Sequence, residues 1–414
     1  MSAAVRRIAV VGPGLMGLGI AQVAAAAGIE VMLVGRDHAS AAAGHARLAA
    51  QLERQVSRGR LGADAAAAIA ASVRPTDSDA DLAACDFAIE SVPEDRALKE
   101  TLLRRIEAAL PQEAWLATNT SGLPIGGLAR ALRRPERFLG LHFFSPVERM
   151  KLVEVVRGEM TSQATVNAAL AFVAGLGQQP IVVRDGPGFF TTRVFAAYLD
   201  EALAMLGEGV AAVAIEAAAL ANGRAVGPLA VLDEVSLGLN LQQADQARAD
   251  GLDERFCRPL ARPVLERMVA LGRGGRRQGG GFYDHPGDAP KRLWPGLDAL
   301  FARVAAQPPA ATIAARLRSA ETLEALRCLE EGVLASAADA DTGSLLGLGQ
   351  PAASGGVLRS VESEGVGRFV AACDELAATS GARFRPSPWL RQVAAAGRGL
   401  DAWRHPHGLE GEAT

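Results

Sequence analysis

Three sets of side chains in this 414-residue chain have types and spacings suited to chemistry. His142 stands twelve residues before Glu154, and Leu152-Val-Glu154-Val-Val156 reads as a buried strand. A carboxylate facing an apolar interior costs several kcal/mol unless a cation or hydrogen-bond donor meets it, and His142 is the nearest candidate in sequence. Together they suit proton transfer: a neutral imidazole takes a proton from a hydroxyl, and the carboxylate fixes its tautomer and steadies the imidazolium. A structural histidine beside an acid on a strand edge has the same spacing, so the rest of the chain decides between them.

The second set is Gly12-Pro13-Gly14-Leu15-Met16-Gly17, which follows an apolar run and opens a helical stretch. In that context the glycines allow a tight turn, close approach of a pyrophosphate and helix–strand contact, with the helix N-terminus facing the anion. This predicts dinucleotide binding. The third set is Val34-Gly35-Arg36-Asp37, at the end of the second apolar run. The acid expected there for the adenosine ribose is Gly35, and Arg36 is a partner for a 2′-phosphate. NAD is the expected cofactor and NADP the alternative. In the NAD reading Asp37 meets the ribose while Arg36 stacks on adenine or faces water.

Short apolar runs alternate with helical stretches as far as residue 185, the pattern of a parallel sheet wrapped by helices. The runs are 8–11, 31–34, 87–91, 115–118, 138–142, 152–156 and 180–184. Residues 40–72 read as two antiparallel helices forming an arm that projects from the sheet. At Asp185-Gly-Pro-Gly188 the strand signal stops and helical patterning takes over. Glu208-Gly-Val210 recurs as Glu331-Gly-Val333, which implies two related helical units. The expected fold class is a Rossmann-type α/β domain at 1–185 followed by an all-α region. That region divides into a helical domain at 186–285, a linker at 286–309, a second helical unit at 310–400 and a tail at 401–414.

Composition narrows the partners. The 43 basic side chains balance 46 acidic ones without a long basic run, so the footprint of a nucleic-acid binder is missing. Cys85, Cys257, Cys328 and Cys373 lie far apart without metal-ligand spacing, which fits reduced thiols and a cytoplasmic location. Arg6-Arg7 before the uncharged run 8–29 has the outline of an export signal, but Gly12-Pro13-Gly14 breaks it. No segment is long and apolar enough to span a bilayer.

The motifs, taken in order, resemble those of the (S)-3-hydroxyacyl-CoA dehydrogenases of fatty-acid β-oxidation. The resemblance is closest to the dehydrogenase half of the multifunctional α-subunit, without its hydratase domain. It covers residues 7–397 and rests on the Gly12 fingerprint, Glu90-Ser-Val-Pro-Glu94, Ala117-Thr-Asn119-Thr-Ser121, the 142–154 block, Asp185-Gly-Pro-Gly-Phe-Phe190, Gly227-Pro228 with Leu232-Asp-Glu-Val235, and Gly281-Phe-Tyr283. It implies His142 as base, Glu154 as its orienting partner and Ser121 as a hydrogen-bond donor to the reacting oxygen. Glu94, Lys99 and Asn119 fall where the family meets the cofactor; read as residues alone, Glu94 and Lys99 are too mismatched in spacing for a helical ion pair, and Ser121 is a helix cap. Thr192 stands where the family has an asparagine, so one hydroxyl replaces an amide with separate donor and acceptor.

The resemblance implies an acyl-CoA substrate oxidised to the 3-ketoacyl-CoA, with Arg54, Arg58 and Arg60 of the arm available to its phosphates or simply solvated. It also implies a helical face that buries against a second subunit; the 310–400 unit offers an internal cover, so monomer and homodimer are both expected. Two other functions fit the same residues. One is a dehydrogenase of another 3-hydroxy acid, carnitine-like or a sugar acid, and the other a catalytically weak dinucleotide-binding or structural relative.

Overall fold

The computed structural model describes residues 5–400 other than 288 and 398, so the tail expected at 401–414 lies outside the described residues. The chain forms two compact units. Among the described residues, one runs to Phe189 and includes Gly332–Ala335, and the other comprises Phe190–Glu331 and residues 336–400.

The first unit is built on eight strands: β1 (Arg7–Val11), β2 (Glu30–Val34), β3 (Val73–Thr76), β4 (Phe87–Glu90), β5 (Trp115–Thr118), β6 (Phe138–Phe143), β7 (Leu152–Arg157) and β8 (Gln179–Arg184). Their order in the sheet is β3-β2-β1-β4-β5-β6-β7-β8, a doubly wound arrangement. Seven strands match the apolar runs to within a residue at each end, because a strand buried on both faces reads as a continuous apolar stretch. The edge strand β3 has no such signal: Val-Arg-Pro-Thr is short, and its proline is tolerated only at an edge. The uncharged run 8–29 is β1, the glycine turn and helix α1 (Leu15–Ala26), not one continuous helix.

The sheet is not parallel throughout. β6 and β7 pair antiparallel while every other neighbouring pair is parallel. Residues 144–151 are too few for the crossover of about a dozen or more residues that a parallel neighbour needs, so β7 returns as a hairpin. The outer edge of β8 is covered by the returning segment: Leu334 bridges Val183, and the Arg184 amide donates to the Val333 carbonyl at 2.8 Å.

The expected arm forms as α2 (His38–Ser57) and α3 (Ala63–Ser72), but it does not project free of the sheet. Leu48, Leu52 and Ile69 are buried in one core with Ile8, Val10, Val31 and Leu33. Apolar residues four apart on α2 give the helix a side that must be covered, and the sheet covers it. Arg54, Arg58 and Arg60 are exposed at the turn end. The remaining helices of this unit are α4 (Arg96–Ala109), α5 (Ile125–Ala129) and α6 (Gln163–Gly175).

The second unit is helical, with α7 (Thr191–Gly207), α8 (Ala212–Ala221), α9 (Pro228–Val235), α10 (Leu237–Ala249), α11 (Arg262–Ala270), α12 (Leu297–Leu300), α13 (Ala310–Glu330), α14 (Ala337–Gly347), α15 (Val357–Glu364), α16 (Val366–Ser380) and α17 (Pro388–Ala395). The Glu-Gly-Val repeat has a structural counterpart here. Arg193 of α7 pairs with Glu324 and Glu331 at the end of α13, and Arg316 of α13 pairs with Glu201 and Glu208 at the end of α7. One displacement along the chain carries Arg193 onto Arg316, Glu201 onto Glu324 and Glu208 onto Glu331, so the two helices exchange equivalent ion pairs. The duplication continues at the next helix starts. Glu216 accepts the Leu229 amide at the head of α9 at 2.8 Å, and Asp341 accepts the Leu358 amide at the head of α15 at 2.8 Å. A glycine precedes each, Gly227 and Gly356, where a β-carbon would collide with the capping carboxylate.

Candidate active site

The hairpin of β6 and β7 sets His142 directly opposite Glu154 in the ladder. His142 Nδ1 and Glu154 Oε2 are 2.7 Å apart, with the histidine 5 % exposed and the acid fully buried. A carboxylate at Nδ1 requires that nitrogen to carry the proton, which leaves Nε2 as a proton acceptor. The Phe144 and Phe189 rings lie 4.4 and 6.0 Å from the imidazole, centroid to centroid, and exclude water from its sides. Both sheet partners belong to the unit that carries the glycine turn, and His142 is near the C-terminal end of β6, the same edge of the sheet as Gly12. Three strand spacings, about 14 Å, separate β6 from β1.

A chain of contacts crosses that distance. A β-carbon on Gly12, whose φ is +111°, would collide with the Ser91 carbonyl, so only glycine lets the turn sit against the end of β4. The Ser91 hydroxyl accepts from Asn119 Nδ2 at 3.3 Å, and Asn119 Oδ1 accepts the Phe143 amide at 2.9 Å, one residue from His142. Asn119 therefore ties together the ends of β4, β5 and β6.

Behind this edge lies a buried polar cluster. Lys99 is fully buried and its ammonium donates to Glu90 at 2.8 and 2.9 Å, to the Val92 carbonyl at 3.3 Å, and lies 3.4 Å from Glu94 Oε2. Glu90, itself without exposure, also accepts from the Thr118 hydroxyl at 2.6 Å. Glu94 Oε1 accepts from the Thr120 hydroxyl at 2.5 Å and from the Ser121 amide at 3.1 Å. The pairing of Glu94 with Lys99 corrects the expectation drawn from their spacing. Glu94 precedes the Asp95 cap of α4, so helical spacing rules do not govern it. Lys99 faces inward, and the Glu94 side chain, 28 % exposed, is the member of the cluster that reaches the surface.

Ser121 is exposed, and the capping task belongs to its neighbour: Thr120 Oγ1 accepts the Leu123 amide at 3.0 Å, while Asp185 caps α5 through the Ile125 and Gly126 amides at 2.9 and 2.7 Å. Burial pushes the Asp185 carboxyl up, opposed by those amides. No described residue bonds the Ser121 hydroxyl. Thr192 belongs to the second unit, half-buried in the first turn of α7.

Glu90, Thr118 and Thr120 lie inside the two motifs Glu90–Glu94 and Ala117–Ser121, but the sequence assigns them no role of their own. Glu90 had a signal of the same kind as Glu154, a charged residue in the apolar run Phe-Ala-Ile-Glu. The two threonines carry no such signal beyond their place in the motif at 117–121.

The glycine turn has the form of a dinucleotide cradle. Gly14 caps α1 with no side-chain hydrogen bond, leaving the first-turn amides for an anion. A β-carbon on Gly17 would collide with the Gly12 carbonyl, whereas nothing lies within 4 Å of one on Gly14, the open side of the turn. Leu15 is 63 % exposed at the helix start, and Met16 packs against the core. At the end of β2, the Arg36 side chain is 88 % exposed with Nε 3.2 Å from Asp37 Oδ2.

A doubly wound sheet with a glycine cradle on one edge has the architecture of a dinucleotide-binding domain, and the histidine–carboxylate pair on the same edge suits proton transfer. Known proteins make this specific. The NAD-binding domain of 3-hydroxyacyl-CoA dehydrogenase matches residues 7–186, and the C-terminal domain of the same enzymes matches 188–285. The fatty acid oxidation complex subunit alpha of Pseudomonas putida (strain GB-1) is 34% identical over 401 residues, covering 95% of this chain and 56% of that protein. The chain thus spans just over half the length of the curated relatives it matches. Among solved structures, 3-hydroxybutyryl-CoA dehydrogenase from Escherichia coli K12 superposes with a TM-score of 0.81 at 28% identity, covering 95% of this chain and 99% of that one. (S)-3-hydroxybutyryl-CoA dehydrogenase PaaH1 from Ralstonia eutropha gives 0.65 at 34% identity, covering 68% of this chain and all of that one (100%). The chain belongs to the 3-hydroxyacyl-CoA dehydrogenase family, and its first unit is an NAD-binding domain. Among the described residues no helix is long and apolar enough to cross a membrane.

Proposed function

We propose that the chain oxidises a (S)-3-hydroxyacyl-CoA to the 3-ketoacyl-CoA, and catalyses the reverse, with His142 as general acid–base. The observation that carries this reading is the 2.7 Å contact between His142 Nδ1 and Glu154 Oε2 in a buried ladder position, which leaves Nε2 as the acceptor. In oxidation Nε2 takes the 3-hydroxyl proton as hydride leaves C3, and in reduction the imidazolium returns a proton to the new alkoxide. The bound nicotinamide supplies the hydride acceptor or donor. Glu154 stabilises the imidazolium and prevents the ring from flipping. Ser121 donates to the reacting oxygen, and Asn119 holds the loop in register with β6. Glu94 orients the Ser121 loop and contacts the cofactor; Lys99 fixes Glu94 from behind. Gly12, Gly14, Leu15, Met16 and Gly17 hold the pyrophosphate, and Gly35 and Arg36 border the adenosine. Thr192 is carried over from the family pattern as a second donor to the substrate.

The four cysteines are buried and none of them forms a disulfide, which suits a cytoplasmic enzyme. The chain divides into domains at 1–185, 186–285 and 310–400, with 286–309 linking the last two.

Reduction of acetoacetyl-CoA, followed by loss of NADH or NADPH absorbance, tests the mechanism. His142→Ala should lower kcat about 10²–10⁴-fold with little change in coenzyme affinity, and Glu154→Gln should lower kcat in the same direction. Unchanged turnover by His142→Ala removes the mechanism. Turnover of a free 3-hydroxy acid but not of the CoA thioester would move the substrate class.

A further inference from the structure

We infer that the adenosine end of the dinucleotide site accepts the 2′-phosphate of NADP(H), with Arg36 as the residue that reads it. The inference rests on the dinucleotide site proposed above and deepens it. Selection of NAD depends on an acid at the end of the second strand, which grips the ribose diol and repels a phosphate there. Here that position is Gly35, and the packing admits no side chain. A β-carbon would lie 2.5 Å from the Ala41 amide nitrogen, 2.5 Å from Ser40 Oγ and 2.8 Å from the Asp37 carbonyl oxygen. Gly35 is nonetheless in the right place, since β2 pairs with β1 through Val34 and Val11, and the Gly12 amide donates to the Val34 carbonyl at 3.0 Å.

Asp37, the next acid along, is committed elsewhere. Its Oδ1 accepts the Ser40 amide at 2.7 Å, and the Ser40 hydroxyl answers the Asp37 amide at 3.2 Å, a reciprocal cap on α2. Hydrogen bonds from Ser40 hold this carboxyl below its usual range, so it stays an anion turned toward the helix and toward Arg36. The Arg36 guanidinium, beyond its Nε contact with Asp37, keeps its two terminal nitrogens without a described partner. A second cation stands at the glycine turn, where Arg47 donates to the Pro13 carbonyl at 2.7 Å. The strand end thus offers a guanidinium fork with no carboxylate on Gly35 to oppose a phosphate.

Titration with ADP-ribose and 2′-phospho-ADP-ribose reads this without any acyl-CoA or turnover, and initial rates with NADH and NADPH follow. The phosphorylated ligand should bind at least as tightly as ADP-ribose, and Arg36→Ala should reduce the ratio of the two affinities by about tenfold or more. Arg36 is a surface residue, so the variant should fold. Binding of 2′-phospho-ADP-ribose roughly tenfold or more weaker than ADP-ribose in the unaltered protein, or a ratio untouched by Arg36→Ala, overturns the inference. Failure to reduce acetoacetyl-CoA with either coenzyme would count against the proposed substrate alone, because the ligand ratio is measured without it.

Discussion

At the scale of single residues, Glu154 and Glu90, two carboxylates of the first unit with no exposure, are held by two devices. Glu154 is met by the His142 imidazole, the proposed acid–base, whereas Glu90 is met by Lys99, which has no exposure. A buried ion pair is expensive to break from one side, because the remaining charge keeps its desolvation cost and loses its partner. Lys99→Met should therefore destabilise the protein by about 3–5 kcal/mol in urea unfolding, and should loosen the Ser121 loop that Glu94 holds. An unchanged unfolding midpoint would mean that the Glu90 cluster is hydrated and unimportant.

At the scale of elements, the glycine turn between β1 and α1 separates two demands that one motif is often assumed to share. Gly12 meets a folding demand, with φ at +111° and the Ser91 carbonyl in the way of any side chain. Gly14 lies at φ −81° with open space where its side chain would be, so its demand comes from the ligand. Gly12→Ala should lower Tm along with coenzyme affinity. Gly14→Ala should keep Tm and lose affinity, since a methyl group occupies the side where pyrophosphate approaches. Differential scanning and coenzyme titration on both variants check this; equal losses of Tm would refute the distinction.

At the scale of the whole molecule, the second unit carries its own duplication, and the ion pairs that join α7 to α13 give it an acid limit. Burial pushes the Glu324 carboxyl up, but Arg193 and Arg327 outweigh it and hold it below the ordinary 4.5. Glu331 is likewise raised by burial and lowered further by Arg193 and Arg255. On acidification the unfolded chain takes up these protons first, so the stability the pairs contribute is present above pH 4.5 and drains away below it. Glu216 and Glu321, pushed up chiefly by burial, act with the opposite sign: they favour the fold when protonated, and that contribution is lost as pH rises from 4.5 through their raised values. Glu331→Gln should flatten the acid limb of a plot of stability against pH. A limb of unchanged slope would show that the pairs between the repeats contribute little.

The sequence by itself determined the class of the first unit, because short apolar runs, a glycine turn and a histidine spaced from an acid are local patterns that survive without coordinates. It also held the repeat, through Glu208-Gly-Val and Glu331-Gly-Val. Only the tertiary structure decided that His142 and Glu154 face each other, because antiparallel register depends on the short connection between β6 and β7. The same holds for the Lys99 cluster, whose members come from β4, β5 and α4, and for the arm, whose apolar side needed a sheet to cover it. It holds most plainly for the exchange of arginines and glutamates between α7 and α13. Local patterning records which face of an element is apolar, whereas the partner of a buried charge is chosen by packing between segments distant in the chain.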